Sequence, residues 1–295
     1  QSLIGILTWV SPGVLPSAWL GRAGERTVGS LELPGTYTAA VLFGAILLVH
    51  YAFTASPTRR RTIISLAAAG LGFLMVFMTF SRASWLAGIV AALGLIWLHP
   101  KRMTRVVVVA IPILLLAIGA GLLAQQSQYA EARLNSNQTA IGRLPVMYAA
   151  VQMWQAQPLF GFGYGNFDRF DRDFQQEVAG YIPEADHASH NVYLTVLAEQ
   201  GGVGILLFLG PPALAMAATV RAWRRLPPDA FVGRRLAGSL WLILTVHFVV
   251  NNFANMRSIF GLGMWWFLIA LVLELVERPA AEPRLVAVDT ESDLR

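Results

Sequence analysis

The stretch "HASHNVYLTVLAEQGGVGILLFLG", residues 187–210, sets two histidines and an asparagine directly before a long apolar run. The run continues to about residue 220, with Glu199 as its one charged side chain. A bilayer core of about 30 Å needs roughly 20 apolar residues in one helix. The run meets that length, so the fold class turns on a membrane rather than a soluble core. Composition agrees. The 295 residues are 56% hydrophobic and 13% charged, against about a quarter charged in a soluble domain.

Outward from that run, the apolar pattern predicts seven spans: about 37–53, 62–80, 83–98, 106–124, 191–220, 236–254 and 258–276. Residues 3–20 are apolar but hold Pro12 and Pro16, so they read as the end of a truncated span or an interfacial segment. Residue 1 is glutamine and no basic region precedes an apolar one, which suggests a chain that begins inside an earlier span. Without cysteine there is no disulfide and no thiolate chemistry.

The net charge of +5 reports orientation before it reports nucleic acid. One set of loops carries Arg59, Arg60 and Arg61, then Lys101, Arg102 and Arg105, then Arg221, Arg224, Arg225, Arg234 and Arg235. The positive-inside rule makes this set cytoplasmic. The alternate set holds Arg82, the segment 125–190 and the turn at 255–257. Segment 125–190 has acids at Glu131, Asp168, Asp171, Asp173, Glu177, Glu184 and Asp186, and belongs outside, on a periplasmic face. The chain thus divides into 1–36, a truncated span end; 37–124, four membrane helices; 125–190, a helical outer loop; 191–277, three membrane helices; and 278–295, a disordered cytoplasmic tail. The fold class is an all-α polytopic bundle with a helical loop domain.

A connection as long as 125–190 is usually functional. Residues 139–156 read as a helix capped by Asn137 or Thr139, with Pro145 in its first turns. In "QPLFGFGYGNF", 157–167, glycines alternate with aromatics, which suggests a tight irregular turn. A phosphate cradle would need a strand before it and a helix after it in a βαβ unit, and that context is absent. Phe167, Phe170 and Phe174 then mark one aromatic helix face, suited to a lipid interface. Asp171 and Asp173 match the short acidic pattern of metal-dependent sugar transferases, a pattern common by chance on charged helix faces.

His190 stands where the span near 191 begins. The partial positive charge of a helix N-terminus disfavours imidazolium, which keeps a histidine in the form a general base needs. The plain alternative is an interfacial histidine that helps cap the helix. Arg82, in the outer turn "TFSRASW", either snorkels or meets an anion. Arg143, opening the loop helix, is either solvated or a phosphate ligand. His247 and Glu199 lie within spans and read as structural: His247 bonding a neighbouring helix, Glu199 capping the Gly201-Gly202 kink or pairing with a loop arginine. His187, in the loop, is a distant second as a base.

Three motifs in order carry a resemblance: "TFSRASWLAG" at 79–88, "GRLPVMYAAVQMWQAQPLFGFGYGNF" at 142–167 and "SHNVYLTVLAEQGGVGILLF" at 189–208. Together they look like the bacterial O-antigen ligase and O-antigen polymerase superfamily. The resemblance implies a GT-C-like membrane-helical fold in the inner (plasma) membrane, with its active site facing the periplasm. It implies a glycan donor on undecaprenyl diphosphate and an acceptor hydroxyl on lipid A-core, another glycan or a protein. It implies metal-independent inverting transfer, with no cofactor and no nucleic acid. Under it His190 is the catalytic base, Arg82 and Arg143 hold the diphosphate, and Asn191, Tyr164, Asn166 and Tyr193 contact substrate. Ligase, polymerase and protein O-oligosaccharyltransferase remain alternatives within it. A transporter and a loop-bearing scaffold remain alternatives outside it.

Overall fold

The computed structural model describes residues 34–55, 58–79, 81–106, 143–178, 189–228, 230–251 and 259–277. Eight helices order them: α1 (Pro34–Thr54), α2 (Arg59–Phe77), α3 (Arg82–Leu98), α4 (Leu144–Ala156), α5 (Phe167–Phe174), α6 (Val192–Ala222), α7 (Arg234–Asn251) and α8 (Ile259–Glu277). The expected span at 106–124, the segment 3–20, the 255–257 turn and the tail lie outside the described residues, as do His187, Asn137 and Thr139. Among the described residues three helices are long and apolar enough to cross a membrane: Gly35–Thr54, Arg59–Phe77 and Val192–Ala222. Arg82–Leu98 is a shorter apolar helix. The protein is a helical membrane protein.

Local chemistry sets the helix starts. Thr58 accepts from the Arg61 N–H at 3.3 Å and begins α2. Ser81 does the same for Ser84 at the head of α3. Asn191 Oδ1 accepts from the Leu194 N–H at 3.1 Å and begins α6. Each side chain satisfies a donor that the helix cannot. Thr58 also explains why α2 starts at Arg59: the cap draws the three arginines into the first turn.

α1 is the most buried of the spans, packed on α2, α3 and α7. Tyr37, Leu42 and Ile46 along it are fully covered. α3 turns a small-residue stripe inward, with Ser84, Ala87, Gly88 and Ala91 buried, which lets helix backbones approach. Gly94 lies against Leu242, and Gly238 against Leu98. Higher numbers on α7 meet lower numbers on α3, so these helices run antiparallel. The opposite faces carry Ile89, Leu93, Trp97, Leu206, Leu207 and Leu214, all exposed, as a surface covered by lipid would be.

The bundle therefore has two ends. At one, Thr38 Oγ1 donates to Ser84 Oγ at 2.7 Å, and the Tyr193 hydroxyl donates to the Phe248 carbonyl at 3.2 Å. At the other, His50 Nε2 meets the Phe231 carbonyl at 3.0 Å, Arg102 donates to the Phe53 carbonyl, and Arg234 Nε donates to the Trp223 carbonyl at 2.8 Å. The arginine-rich loops gather at this second end, as the sequence reading expects.

α6 is not straight. Gly201 has φ 65° and ψ −162°, outside helical values. Tyr193 is tied to Phe248 and Thr219 to Trp241, at ends of a short stretch of α7. At 1.5 Å per residue a straight helix would set residues 193 and 219 about 39 Å apart, while residues 241 and 248 span only about 10 Å. Side-chain reach does not close that gap. The break at Gly201 folds the first segment of α6 over the end of the bundle.

Candidate active site

The break in α6 is the organising feature of the site. In an unbroken helix the carbonyls of Ala198 and Glu199 would accept from the N–H groups of Gly202 and Val203. Here Gly202 N–H bonds the Pro158 carbonyl at 2.8 Å and Val203 N–H the Leu159 carbonyl at 3.1 Å. The released carbonyls accept from the turn instead: Ala198 from Phe162 N–H at 3.1 Å, Glu199 from Gly163 N–H at 2.7 Å. All four backbone groups are satisfied again, the condition for breaking a helix near lipid. The turn 157–166 thus clasps α6.

The clasp needs two glycines. Gly161 has φ 63° and Gly201 φ 65°. A Cβ on Gly161 would collide with the backbone at Glu199, and one on Gly201 with the backbone at Leu159. The alternating glycines are therefore a structural turn, as read from the sequence, and their partner is the third motif's Gly201.

Glu199 completes the junction. It is 2% exposed, and its Oε1 accepts from the Phe167 N–H at 2.9 Å. The side chain ties down the start of α5, which Asn166 leaves without a side-chain cap. Glu199 thus has a helix-start role on the neighbouring element. Phe167 is fully buried in a small core with Val146, Ala150, Met153 and Ala198, against which Phe162, Phe170, Phe174 and Leu194 pack. The aromatic face of α5 therefore faces protein, not the lipid interface expected for it, because α4 and the clasp offer it apolar partners first. Asp171 on the same helix is buried and accepts from Gln175 Nε2 at 2.7 Å. Among the described residues no three His, Cys, Asp or Glu side chains are grouped to hold a metal.

His190 heads the folded-over segment. Among the described non-glycine residues it has the one positive φ, 51°. Such a conformation costs of order 1–3 kcal/mol and persists where neighbours over-determine it. They do so here. Ser189, 1% exposed, donates from Oγ to the Asn191 carbonyl at 2.9 Å and accepts from Asn191 N–H at 3.2 Å. Its Oγ also lies 2.5 Å from Thr195 Oγ1. The chain is pinned on both sides of His190, which stays half-buried at the tip. Ser189 and Thr195 were not legible as site residues; the only sequence signal was a serine before the histidine.

Arg82 is exposed at the first position of α3. Arg143 is half-buried at the N-cap of α4, with helical φ and ψ and Pro145 in the first turn. α4 packs on α6 and shares its core with Leu194 and Ala198 of the folded segment. The first turn of α3 lies at the same bundle end as the close of α7, where Tyr193 is anchored. His190, Arg82 and Arg143 therefore belong to one end of the molecule, opposite the arginine-rich loops.

The remaining sequence candidates divide. Asn191 Oδ1 caps α6, the Tyr193 hydroxyl bonds Phe248, and Asn166 Nδ2 donates to the Phe162 carbonyl at 3.0 Å. Tyr164 stands out on the clasp, 73% exposed. His247 is fully buried in α7, and among the described residues neither ring nitrogen has a hydrogen-bond partner. The bond to a neighbouring helix expected for it is not formed there.

Comparison with curated proteins gives no match. A family model described as O-antigen ligase matches residues 67–209. That stretch includes Arg82, Arg143, the clasp and His190. Over residues 67–209 the chain is therefore similar to the O-antigen ligase family.

Proposed function

We propose that the protein is a polytopic glycosyltransferase of about seven spans that moves a glycan from undecaprenyl diphosphate to an acceptor hydroxyl, at the periplasmic face of the bacterial inner membrane. The observation that carries this reading is the setting of the two arginines. Each stands at a helix N-terminus, where the helix dipole favours a bound anion. Helix N–H groups and a guanidinium fork are together suited to phosphate.

Departure of a diphosphate builds negative charge, and preorganised donors stabilise that charge more in the transition state than before it. His190, held at a pinned tip on the same end, would take the acceptor proton as the hydroxyl attacks the anomeric carbon from the opposite face. The configuration inverts, and the polyprenyl diphosphate leaves with the bonding pair. A general base of this kind contributes typically 10²–10⁴-fold. Tyr164 is the substrate contact the geometry favours, being exposed on the clasp. Asn191, Asn166 and Tyr193 would act by holding the site's backbone.

The depth of the site supports a lipid-linked donor. From Gly201 to Val220 α6 carries no charge, and Arg221 follows. That stretch is long enough to cross a bilayer core of about 30 Å, which supports an outer-boundary position for the break and its clasp. Leu159 and Phe160, 65% and 71% exposed on the clasp, would rest in the lipid there. Reconstituting the protein with a polyprenyl-diphosphate-linked glycan and lipid A-core tests the proposal. Glycan transfer with release of polyprenyl diphosphate, insensitive to chelator, is expected. No transfer to lipid A-core, but elongation of the glycan on its own carrier, would instead mark the polymerase reading.

A further inference from the structure

At the arginine-rich end, away from the candidate active site, a pocket of about 560 Å³ opens between the close of α1, the residues after α3 and the start of α7. Thr54, His99, Lys101, Arg102 and Arg235 contribute its polar lining, and among the described residues no acid lines it. We propose that this pocket binds a phosphate-class anion, presented by an acidic phospholipid headgroup or free in solution.

Two independent observations point there. The first is charge: Lys101, Arg102 and Arg235 border one concavity, whose positive potential attracts an anion. Arg102 is anchored at the pocket by donating to the Phe53 carbonyl, with its guanidinium over the Phe53 ring at 5.7 Å. A second hollow shares Phe53, Thr54 and Arg102 and adds Arg105, which extends the cationic surface.

The second is His99. It is 3% exposed, and among the described residues neither ring nitrogen has a hydrogen-bond partner. A buried polar group without a partner costs about 1–3 kcal/mol. His50 does not serve: the two rings are 6.4 Å apart by centroid, and His50 Nε2 is engaged with the Phe231 carbonyl. An oxyanion in the pocket gives the His99 N–H its acceptor and sits beside the charges of Lys101 and Arg102. Basic pockets between membrane helices bind acidic headgroups by the same chemistry.

The test uses the full chain in neutral detergent. Inorganic phosphate is titrated calorimetrically, and thermal stability is read in mixed micelles with phosphatidylglycerol or phosphatidylcholine. Phosphatidylglycerol, but not phosphatidylcholine, should stabilise the protein. Heat with inorganic phosphate as well would show that the free anion suffices; its absence would show that the headgroup is required. K101E, on an exposed side chain, and R235Q should each weaken binding about tenfold or more, while R60E, elsewhere on the same basic end, should not. Equal stabilisation by both lipids with no heat from phosphate would overturn the proposal. So would equal weakening by R60E, since binding would then follow overall charge rather than this pocket.

Discussion

The carboxylate of Glu199, buried in the broken part of α6, accepts the backbone N–H of Phe167, the first residue of α5, at 2.9 Å. An ionisable side chain in a span is a functional hypothesis by default. Here its hydrogen bond shows it joining two elements, and the junction is what holds the site.

The clasp should therefore fail in a particular way. Glu199→Gln keeps an acceptor for Phe167 and should change stability little, whereas Glu199→Ala should lose about 1–3 kcal/mol. Gly201→Ala forces a side chain into the left-handed region, at roughly 1–3 kcal/mol, and into the Leu159 backbone as well. Chemical unfolding in detergent measures all three. A Gly201→Ala protein as stable as the parent would contradict the clasp.

Asn191 separates capping from substrate contact. If its Oδ1 matters as the α6 cap, Asn191→Ala should cost about 1 kcal/mol and Asn191→Ser should recover most of it. Transfer activity should follow the same order, through kcat rather than KM. A raised KM that serine does not restore would assign Asn191 to the substrate.

For the arginines, geometry matters more than charge. Arg143→Lys retains a cation but not the fork, and should lower transfer by about 10²-fold or more, as loss of a preorganised donor does. Arg82→Lys should behave alike. Steady-state kinetics with lipid-linked donor checks this; full activity in either lysine variant would remove that residue from the diphosphate.

His99 gives a pH dependence of stability. Burial first, then the charges of Arg235, His50 and Arg102, hold its imidazole down to about 4 from an ordinary 6.5. Above pH 6.5 folded and unfolded chains are both neutral there, and its contribution is complete. Between 6.5 and about 4 the unfolded chain takes up the proton first, so stability falls on acidification. Thermal melts in phosphate-free detergent from pH 7.5 to 4.5 should show this fall, and His99→Gln should flatten part of it. An unchanged slope would place the effect elsewhere.

Much of the fold was legible because lipid makes the hydrophobic signal long and unambiguous. The spans expected at 37–53, 83–98 and 191–220 coincide with Pro34–Thr54, Arg82–Leu98 and Val192–Ala222 within a few residues. Arg59–Phe77, Arg234–Asn251 and Ile259–Glu277 are helices within or overlapping the stretches expected at 62–80, 236–254 and 258–276. The loop helix was expected from 139 with Asn137 or Thr139 as cap, whereas α4 begins at Leu144 with Arg143 at its N-cap. The clasp was not legible. Its bonds join Pro158, Leu159, Phe162 and Gly163 to residues about forty positions on, through backbone groups every sequence carries. Periodicity cannot report such pairing, and so it misdirected the aromatic face of α5 to lipid. His247 was misread for a related reason: a polar side chain in a span implies a partner, but not whether a packed neighbour offers one.

The central claim is that a histidine held at the head of α6 draws the proton from the acceptor while two arginines receive the departing diphosphate. The most direct measurement is glycan transfer by His190→Ala in proteoliposomes carrying polyprenyl-diphosphate-linked donor and lipid A-core, with insertion and thermal stability checked alongside. The account predicts an inserted, folded protein whose transfer rate falls by about 10²–10⁴-fold. Transfer at the parent rate would contradict it.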